Sequence, residues 1–382
     1  MWDWRQLRWL SYFGWWPAAA KTKRAYKMLR IYGIILFLYD FLQLGPELIA
    51  LYLVICKGSM KEVVLTLNNN LLGLGSAWNI GWVLFNERNI MWIIKKLEDL
   101  EIEVQEMIGS EEYDKIAAPK YKLCRNYVVT IYIFLAGLFQ LTIYSLYWTY
   151  NGHVSYIVET WVPWNTNNLQ SLIILYTLQL VHSYSGLTAY ATIYHLYMSI
   201  FEMILLEIKA FHVALSKLDF SSPGVDCHPP LTLESCVKFH QDLLALCKKY
   251  DKTINVTLFL FIMFSSMTLC LSVFELSLIQ DRGKLTILVE LILLTMSMTY
   301  FYCVSSQETV EQMTIGTLRS AYDNNWYVGS VKDKKALILL CKMAKKEFQF
   351  GFIIPTNLPT FITVIKTAFS YYNFLTAMNL QK

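Results

Sequence analysis

Seven stretches of this sequence, 31–56, 63–85, 127–150, 169–201, 254–279, 285–305 and 357–380, are each apolar over about the length that crosses a bilayer. The hydrocarbon core takes roughly 20 helical residues, and a backbone placed in it must satisfy its own hydrogen bonds. The predicted fold is therefore all-α and integral to a membrane, with seven transmembrane helices. Composition agrees: 55% of the 382 residues are apolar and 16% are charged, against about 25% charged in an average soluble domain. Aromatic residues, at 15%, suit a chain that meets two membrane interfaces. A net charge of +4 gives no reason to expect nucleic acid.

Seven spans put the termini on opposite sides, and Lys and Arg decide which is which. Residues 1–30 and the connections 86–125, 202–253 and 306–350 hold 27 of the 33 basic residues. The other side holds five (Lys57, Lys61, Arg282, Lys284 and Lys382), with Lys366 left inside the seventh span. The N-terminus is expected in the cytoplasm and the C-terminus outside. Five Trp in the first 16 residues read as an interfacial anchor. A cleaved signal peptide is not expected, because Gly14 and Pro17 interrupt the short apolar run that follows Arg5 and Arg8.

Helical spacing continues past several spans. Ile90, Ile93, Ile94, Leu97, Val104 and Ile108 recur at helical intervals among Glu and Lys. Residues 187–222 contain no Gly or Pro, and 231–282 enters the fifth span without a breaker. Residues 332–351 form an amphipathic helix, with Leu337, Leu340, Ala344 and Phe348 on one face. Such extensions bury one another best as a helical cytoplasmic domain; separate helices lying on the membrane surface are the alternative.

Nothing in the sequence asks for enzyme chemistry. The eight Cys lack CxxC spacing and fall mostly inside apolar runs, as free thiols do. The six His form no HxxxH pair, and His228 near Cys227 is a weak metal pattern. No Gly-rich phosphate loop occurs. No catalytic residue, metal or cofactor is expected.

The most specific residues lie near the C-terminus. Ser320-Ala321-Tyr322 and Trp326 are followed by Lys335, Leu339-Leu340 and Met343. Pro359 and Phe361 come next, then Val364-Ile365-Lys366-Thr367-Ala368-Phe369-Ser370-Tyr371-Tyr372-Asn373-Phe374-Leu375. This run resembles the C-terminal signature of the insect odorant receptors, and length, span number and orientation agree along the whole chain. The related gustatory receptors end their last span with Thr-Tyr, five apolar residues and Gln-Phe, which is absent here. The shared co-receptor of the odorant receptors carries a large insertion between spans four and five, where this chain has only 217–232. The chain therefore resembles an odour-tuning subunit.

That resemblance implies a ligand-gated, non-selective cation channel, tetrameric with the co-receptor, multi-pass in the plasma membrane of olfactory neuron dendrites. It implies four regions: an interfacial segment (1–30), a six-helix unit with the odorant pocket (31–331), an anchor helix (332–356) and a pore-lining seventh span (357–382). Ser370, Phe374, Met378 and Gln381 recur at i, i+4, i+8 and i+11, one helix face. Ordinary packing gives such a stripe too, but the resemblance places a hydrophobic gate at the position matching Phe374. Lys366 would then face water in the cytoplasmic vestibule, or else snorkel to the interface.

The odorant pocket implied by the resemblance takes Asn69, Leu72, Gly73 and Ser76 from span two. Span three adds Gln140, Tyr144, Tyr147 and Trp148, and span four adds Tyr176, Gln179 and Leu180. Ile287, Glu290, Leu291 and Leu294 come from span six. Asp40, Glu47, Glu275 and Glu290 are acids inside predicted spans, and such residues face protein or water. Glu290 is the candidate ligand contact among them; Glu275 is expected near the outer interface and Asp40 in a helix-packing hydrogen bond. A G-protein-coupled receptor is the competing reading. It needs an outside N-terminus, and the chain lacks Asp-Arg-Tyr after span three and Asn-Pro-x-x-Tyr in span seven. A gustatory-type chemoreceptor is a second alternative. A transporter is disfavoured because no broken spans repeat in matched halves.

Overall fold

The computed structural model describes residues 5–150, 157–158, 160–164, 168–221, 231–278, 282–345, 348–351 and 353–380, and several of its helices begin where the sequence supplies a cap. After a short α1 (Arg5–Tyr12), α2 (Lys23–Lys57) starts at Thr22, whose hydroxyl accepts the Ala25 N–H at 3.2 Å. Ser59 opens α3 (Met60–Ile108) with a capping box: its N–H donates to the Glu62 carboxylate at 2.8 Å, and its hydroxyl accepts the Glu62 N–H at 3.4 Å. So short a turn makes α2 and α3 antiparallel neighbours. Gly109, with φ +88°, ends α3, a backbone shape that a side chain would strain. The helices α4 (Ser110–Tyr150), α5 (Leu169–Ser216) and α6 (Leu233–Leu278) follow. Next, α7 (Arg282–Glu311) runs through a π-turn at Gln312–Gly316 into α8 (Thr317–Tyr322). Finally come α9 (Val331–Ala344) and α10 (Leu358–Leu380).

The fold is all-α and built for a membrane. Among the described residues, α2, α6 and the stretch Leu285–Tyr322 are apolar and long enough to cross one by composition alone. Two further long helices turn polar side chains inward: Asn68, Asn70 and Asn79 on α3, and His182, Ser185, Thr192 and His195 on α5, are all buried. At the centre stands α5, every residue of which is buried from 191 to 208. A helix without a solvent face is a core element, and α3, α4, α6 and α7 pack around it. Against it, α10 is peripheral, resting on α6 and α7.

The helices outlast a bilayer. At 1.5 Å per residue the 49 residues of α3 span about 70 Å, more than twice the roughly 30 Å hydrocarbon core. Ile90, Ile93, Ile94, Leu97, Val104 and Ile108 are all buried, in one core with Phe211, Phe239, Leu337 and Leu340. Ion pairs close its edge: Lys96 with Asp242 at 2.8 Å, Lys209 with Glu308 at 2.7 Å, and Lys120 with Glu202. The π-turn is held from α5, where a ring nitrogen of His212 lies 3.1 Å from the Gln312 carbonyl. Gly316 makes room for that ring, since a Cβ there would sit 2.5 Å from it.

Two local expectations change. Trp15 and Trp16 are not interfacial; they are buried in the main core. Backbone contact between two glycines seats them, for a Cβ on Gly33 would lie 2.2 Å from the Gly14 carbonyl oxygen. The amphipathic helix ends at Ala344 and does not continue to 351. Beyond it Phe350 leaves the helical path to stack edge-on against Phe201, with centroids 4.8 Å apart, and Gly351 turns at φ +108°.

A buried acid in this extended region predicts a pH-dependent stability. Glu207 lies beyond the apolar run 169–201, fully buried, and accepts the Tyr113 hydroxyl at 2.7 Å. Burial pushes its carboxyl up to about 8 from the ordinary 4.5; the Tyr113 bond opposes that and Glu101 adds to it. A carboxyl raised on folding favours the folded state fully below its ordinary value, and that contribution is lost as pH rises through about 8. The thermal midpoint of the detergent-purified protein should therefore fall over that window. Glu207→Gln should flatten the fall, and a wild-type midpoint independent of pH would count against the assignment.

Candidate functional site

Two adjoining cavities lie between α3, α4, α5 and α7, toward the end of the bundle that carries the α2–α3 turn. The larger, about 210 Å³, is walled by Leu65, Asn68, Asn69 and Leu72 of α3, and by Gly137, Leu138, Leu141 and Tyr144 of α4. From α7 come Ile287, Leu288, Glu290, Leu291 and Leu294, with Leu187 of α5 and Glu275 of α6 closing the sides. The smaller, about 130 Å³, shares Asn69, Leu72, Leu138, Leu141 and Leu187 and extends toward α2. There it meets Glu47, Gly73, Ser76, His182, Ser183, Gly186 and Tyr190. Most of both walls is apolar, with a few polar groups, the pattern of a small-molecule site.

Helix periodicity builds the walls. Gly137, Leu138, Leu141 and Tyr144 are spaced to share one face of α4, as Ile287, Leu288, Leu291 and Leu294 do on α7. Gly137 is needed where it stands: a Cβ there would come within 3.0 Å of the Glu290 carboxylate. Gly186 likewise faces Ser76, whose hydroxyl donates to the Gly73 carbonyl at 2.8 Å. Asn68 donates to the Ser272 hydroxyl at 3.0 Å, tying α3 to α6, while its own side-chain oxygen is buried with no partner.

A segment of the α4–α5 connection roofs the smaller cavity through Ile157 and Val158. Gln179 holds it: its side-chain oxygen accepts the Ile157 N–H at 3.1 Å and its amide donates to the Val158 carbonyl at 2.8 Å. The same connection is pinned to α2 by the Trp161 N–H, which donates to the Pro46 carbonyl at 3.1 Å.

The smaller cavity also touches a chain of buried titratable groups. His182 lies between two acids, one ring nitrogen 3.0 Å from Asp40 Oδ1 and the other 3.1 Å from Glu47 Oε1. Ser185 donates to Asp40 Oδ1 at 2.8 Å. Asp40 thus makes the interhelical hydrogen bond expected of it, while Glu47 reaches a cavity wall.

The sequence-derived pocket residues divide as follows. Asn69, Leu72, Tyr144, Ile287, Glu290, Leu291 and Leu294 line the larger cavity, and Asn69, Leu72, Gly73 and Ser76 line the smaller. Tyr176 is buried but ties α5 to α4, its hydroxyl 3.2 Å from the Ser145 hydroxyl. Gln179 holds the roof. Leu180 is half-buried and borders neither cavity, and Gln140 and Tyr147 are exposed on the outer face of α4. The side chain of Trp148 lies outside those described.

Glu275, expected near an interface, is buried in the larger cavity wall. Glu47, Asn68, Leu138, Leu141, His182 and Leu187 are cavity residues that the sequence reading leaves unassigned. For α4 a signal was present, because the glycine at 137 with Leu138, Leu141 and Tyr144 marks the close-packed face. For α5 none was, since periodicity gives a face but not the depth of a site along it.

On α10, Thr360, Val364 and Ala368 face the protein, and Lys366, Ser370 and Phe374 are exposed. The Met378 side chain and Gln381 lie outside the description. Among the described residues no group of His, Cys, Asp and Glu is placed to hold a metal.

Comparison with known proteins fits this architecture. Residues 74–369 match a family model described as 7tm Odorant receptor. Odorant receptor 19a of Drosophila melanogaster is 24% identical over 245 residues, 61% of this chain and 60% of that protein. A second Drosophila melanogaster relative, carrying the odorant receptor designation 85d, is 20% identical over 356 residues, 87% of this chain and 82% of that protein. The structure of the insect olfactory receptor OR5 from Machilis hrabei superposes with a TM-score of 0.84 at 14% identity, covering 97% of this chain and 96% of that one. The same receptor in complex with eugenol also gives 0.84, at 15% identity, covering 98% and 97%. With more than three quarters of its length matched by the family model, this chain belongs to the 7tm odorant receptor family.

Proposed function

We propose that the chain is an odour-tuning subunit of a ligand-gated, non-selective cation channel that forms a heterotetramer with the odorant receptor co-receptor in the plasma membrane. A small volatile binds in the paired cavities at the outer end of the bundle, and α10 contributes to a shared central pore. The carrying observation is the pair of cavities itself: mostly apolar, bordered by a segment held by Gln179, and the larger of them walled by α7, which with α6 carries α10. The relatives' names and the eugenol-bound neighbour support an odorant ligand. The excess of Lys and Arg in 1–30, 86–125, 202–253 and 306–350 supports a cytoplasmic N-terminus and, with it, a cytoplasmic α9 end of the bundle.

The test is odour-evoked current in cells expressing the chain with and without the co-receptor. Current should appear with both subunits and persist in excised patches lacking GTP. A response abolished by removing GTP would restore the G-protein-coupled reading. In parallel, an epitope after Lys382 should be reachable on intact cells and one at the N-terminus only after permeabilisation.

A further inference from the structure

We infer that the smaller cavity is an amine subsite, in which Glu47 receives the ammonium head of a small volatile amine whose apolar body lies among the cavity leucines. The ligand class rests on the reading of these cavities as the odorant site; the argument for it rests on charge and on one unpartnered oxygen.

Glu47 is 2% exposed, and its Oε1 already takes a ring nitrogen of His182. Its other oxygen, Oε2, is buried with no hydrogen-bond partner. That oxygen points toward Gly73, on the cavity wall, where an added Cβ would sit 3.1 Å away. A carboxylate oxygen has only acceptor capacity, so an incoming donor is what completes it. Two acids thus share the single imidazole of His182, so the cluster holds more acid than base in a water-poor setting, where an unmatched charge is costly.

No Lys or Arg is among the described residues lining either cavity; the other titratable groups there are the carboxyls of Glu275 and Glu290 and the phenols of Tyr144 and Tyr190. His182 and Ser185 both serve Asp40 Oδ1, and Asp40 Oδ2, though also without a partner, is not on a cavity wall, so Glu47 is the acid of the pair that the cavity reaches. A cationic donor satisfies the oxygen and the charge together. Leu72, Leu138, Leu141 and Leu187, shared by the two cavities, offer a short alkyl chain a continuous apolar path away from Glu47.

The test compares hexylamine with hexan-1-ol, which share a carbon chain. Binding is read by thermal shift and titration on the full-length chain in lipid nanodiscs near neutral pH, so that it does not depend on channel opening. Hexylamine should bind tighter than hexan-1-ol to the wild type. Glu47→Gln, which keeps the shape and removes the charge, should weaken hexylamine about 10- to 150-fold, the range of a lost charged hydrogen bond, and leave hexan-1-ol little changed. Gly73→Ala, which crowds Oε2 without touching the acid, should act in the same direction.

Equal weakening of both ligands, or a wild-type preference for the alcohol, overturns the amine subsite. The same comparison by current, with the co-receptor present, separates the two readings. Alcohol-evoked current without amine preference rejects only the subsite, whereas amine binding without current from any odorant keeps the subsite and rejects the channel proposal.

Discussion

Phe374→Ser, expressed with the co-receptor, is expected to raise odour-independent current several-fold or to change ion selectivity. On α10, Thr360, Val364 and Ala368 are turned into the protein, while Lys366, Ser370 and Phe374 occupy a broad uncovered arc. In the proposed tetramer part of that arc meets the central axis, and an apolar ring there blocks ions by excluding water. A hydroxyl in place of a phenyl ring lowers that barrier. In that proposed assembly the co-receptor would contribute gate residues of its own, so a partial effect is expected.

Phe369 is the matched control. It is as exposed as Phe374, at 59%, but five residues carry it about 140° round the helix to the other flank of the arc. Phe369→Ser should alter expression or assembly and leave permeation alone. Leak from Phe369→Ser and none from Phe374→Ser would mean that the opposite flank faces the axis.

The second large effect is on ligand potency. Tyr144 lines the larger cavity from α4, about one turn beyond Leu141. Removing its ring by Tyr144→Ala deletes apolar contact of about 1–3 kcal/mol, so the half-maximal odorant concentration should rise roughly 5- to 150-fold. Tyr147, 61% exposed on the same helix, gives the comparison, and Tyr147→Ala should leave potency near wild type. Cell-surface labelling of both variants separates potency from folding. Unchanged dose–response curves in a surface-expressed Tyr144→Ala would move the ligand out of the larger cavity.

Most of the helical framework could be read before any coordinates. The apolar runs located the long helices, and the spacing of Ile90, Ile93, Leu97 and Val104 announced a buried extension because burial at that period leaves no other face. Less was legible of the site. Tyr144 and the α7 residues fell on the larger cavity because the small residue and leucines around them mark a packed face. Gln140 and Tyr147 sit outside because a polar or aromatic residue in a lipid-facing helix has the same composition as one in a pocket. The Asp40–His182–Glu47 chain depends on residues far apart in sequence meeting across α2 and α5, which no local pattern encodes. Trp15 and Trp16 show the same limit: their burial follows from Gly14 meeting Gly33.

The inward polar faces of α3 and α5 bear on how a cell makes this protein. A segment leaving the translocation machinery is first surrounded by lipid, where Asn68 and His182 lack their partners on other helices and weaken its insertion. Those helices hold their place only once Ser272 on α6 and Asp40 and Glu47 on α2 have arrived. The segments apolar enough to enter unaided include α2 and α6, the helices that carry these partners. Biogenesis is then a coupled process, in which α5 enters beside an α2 already in place and α3 completes its contacts only when α6 follows. A substitution at Asp40 would register as retention in the endoplasmic reticulum before it could ever be scored as a loss of odour response.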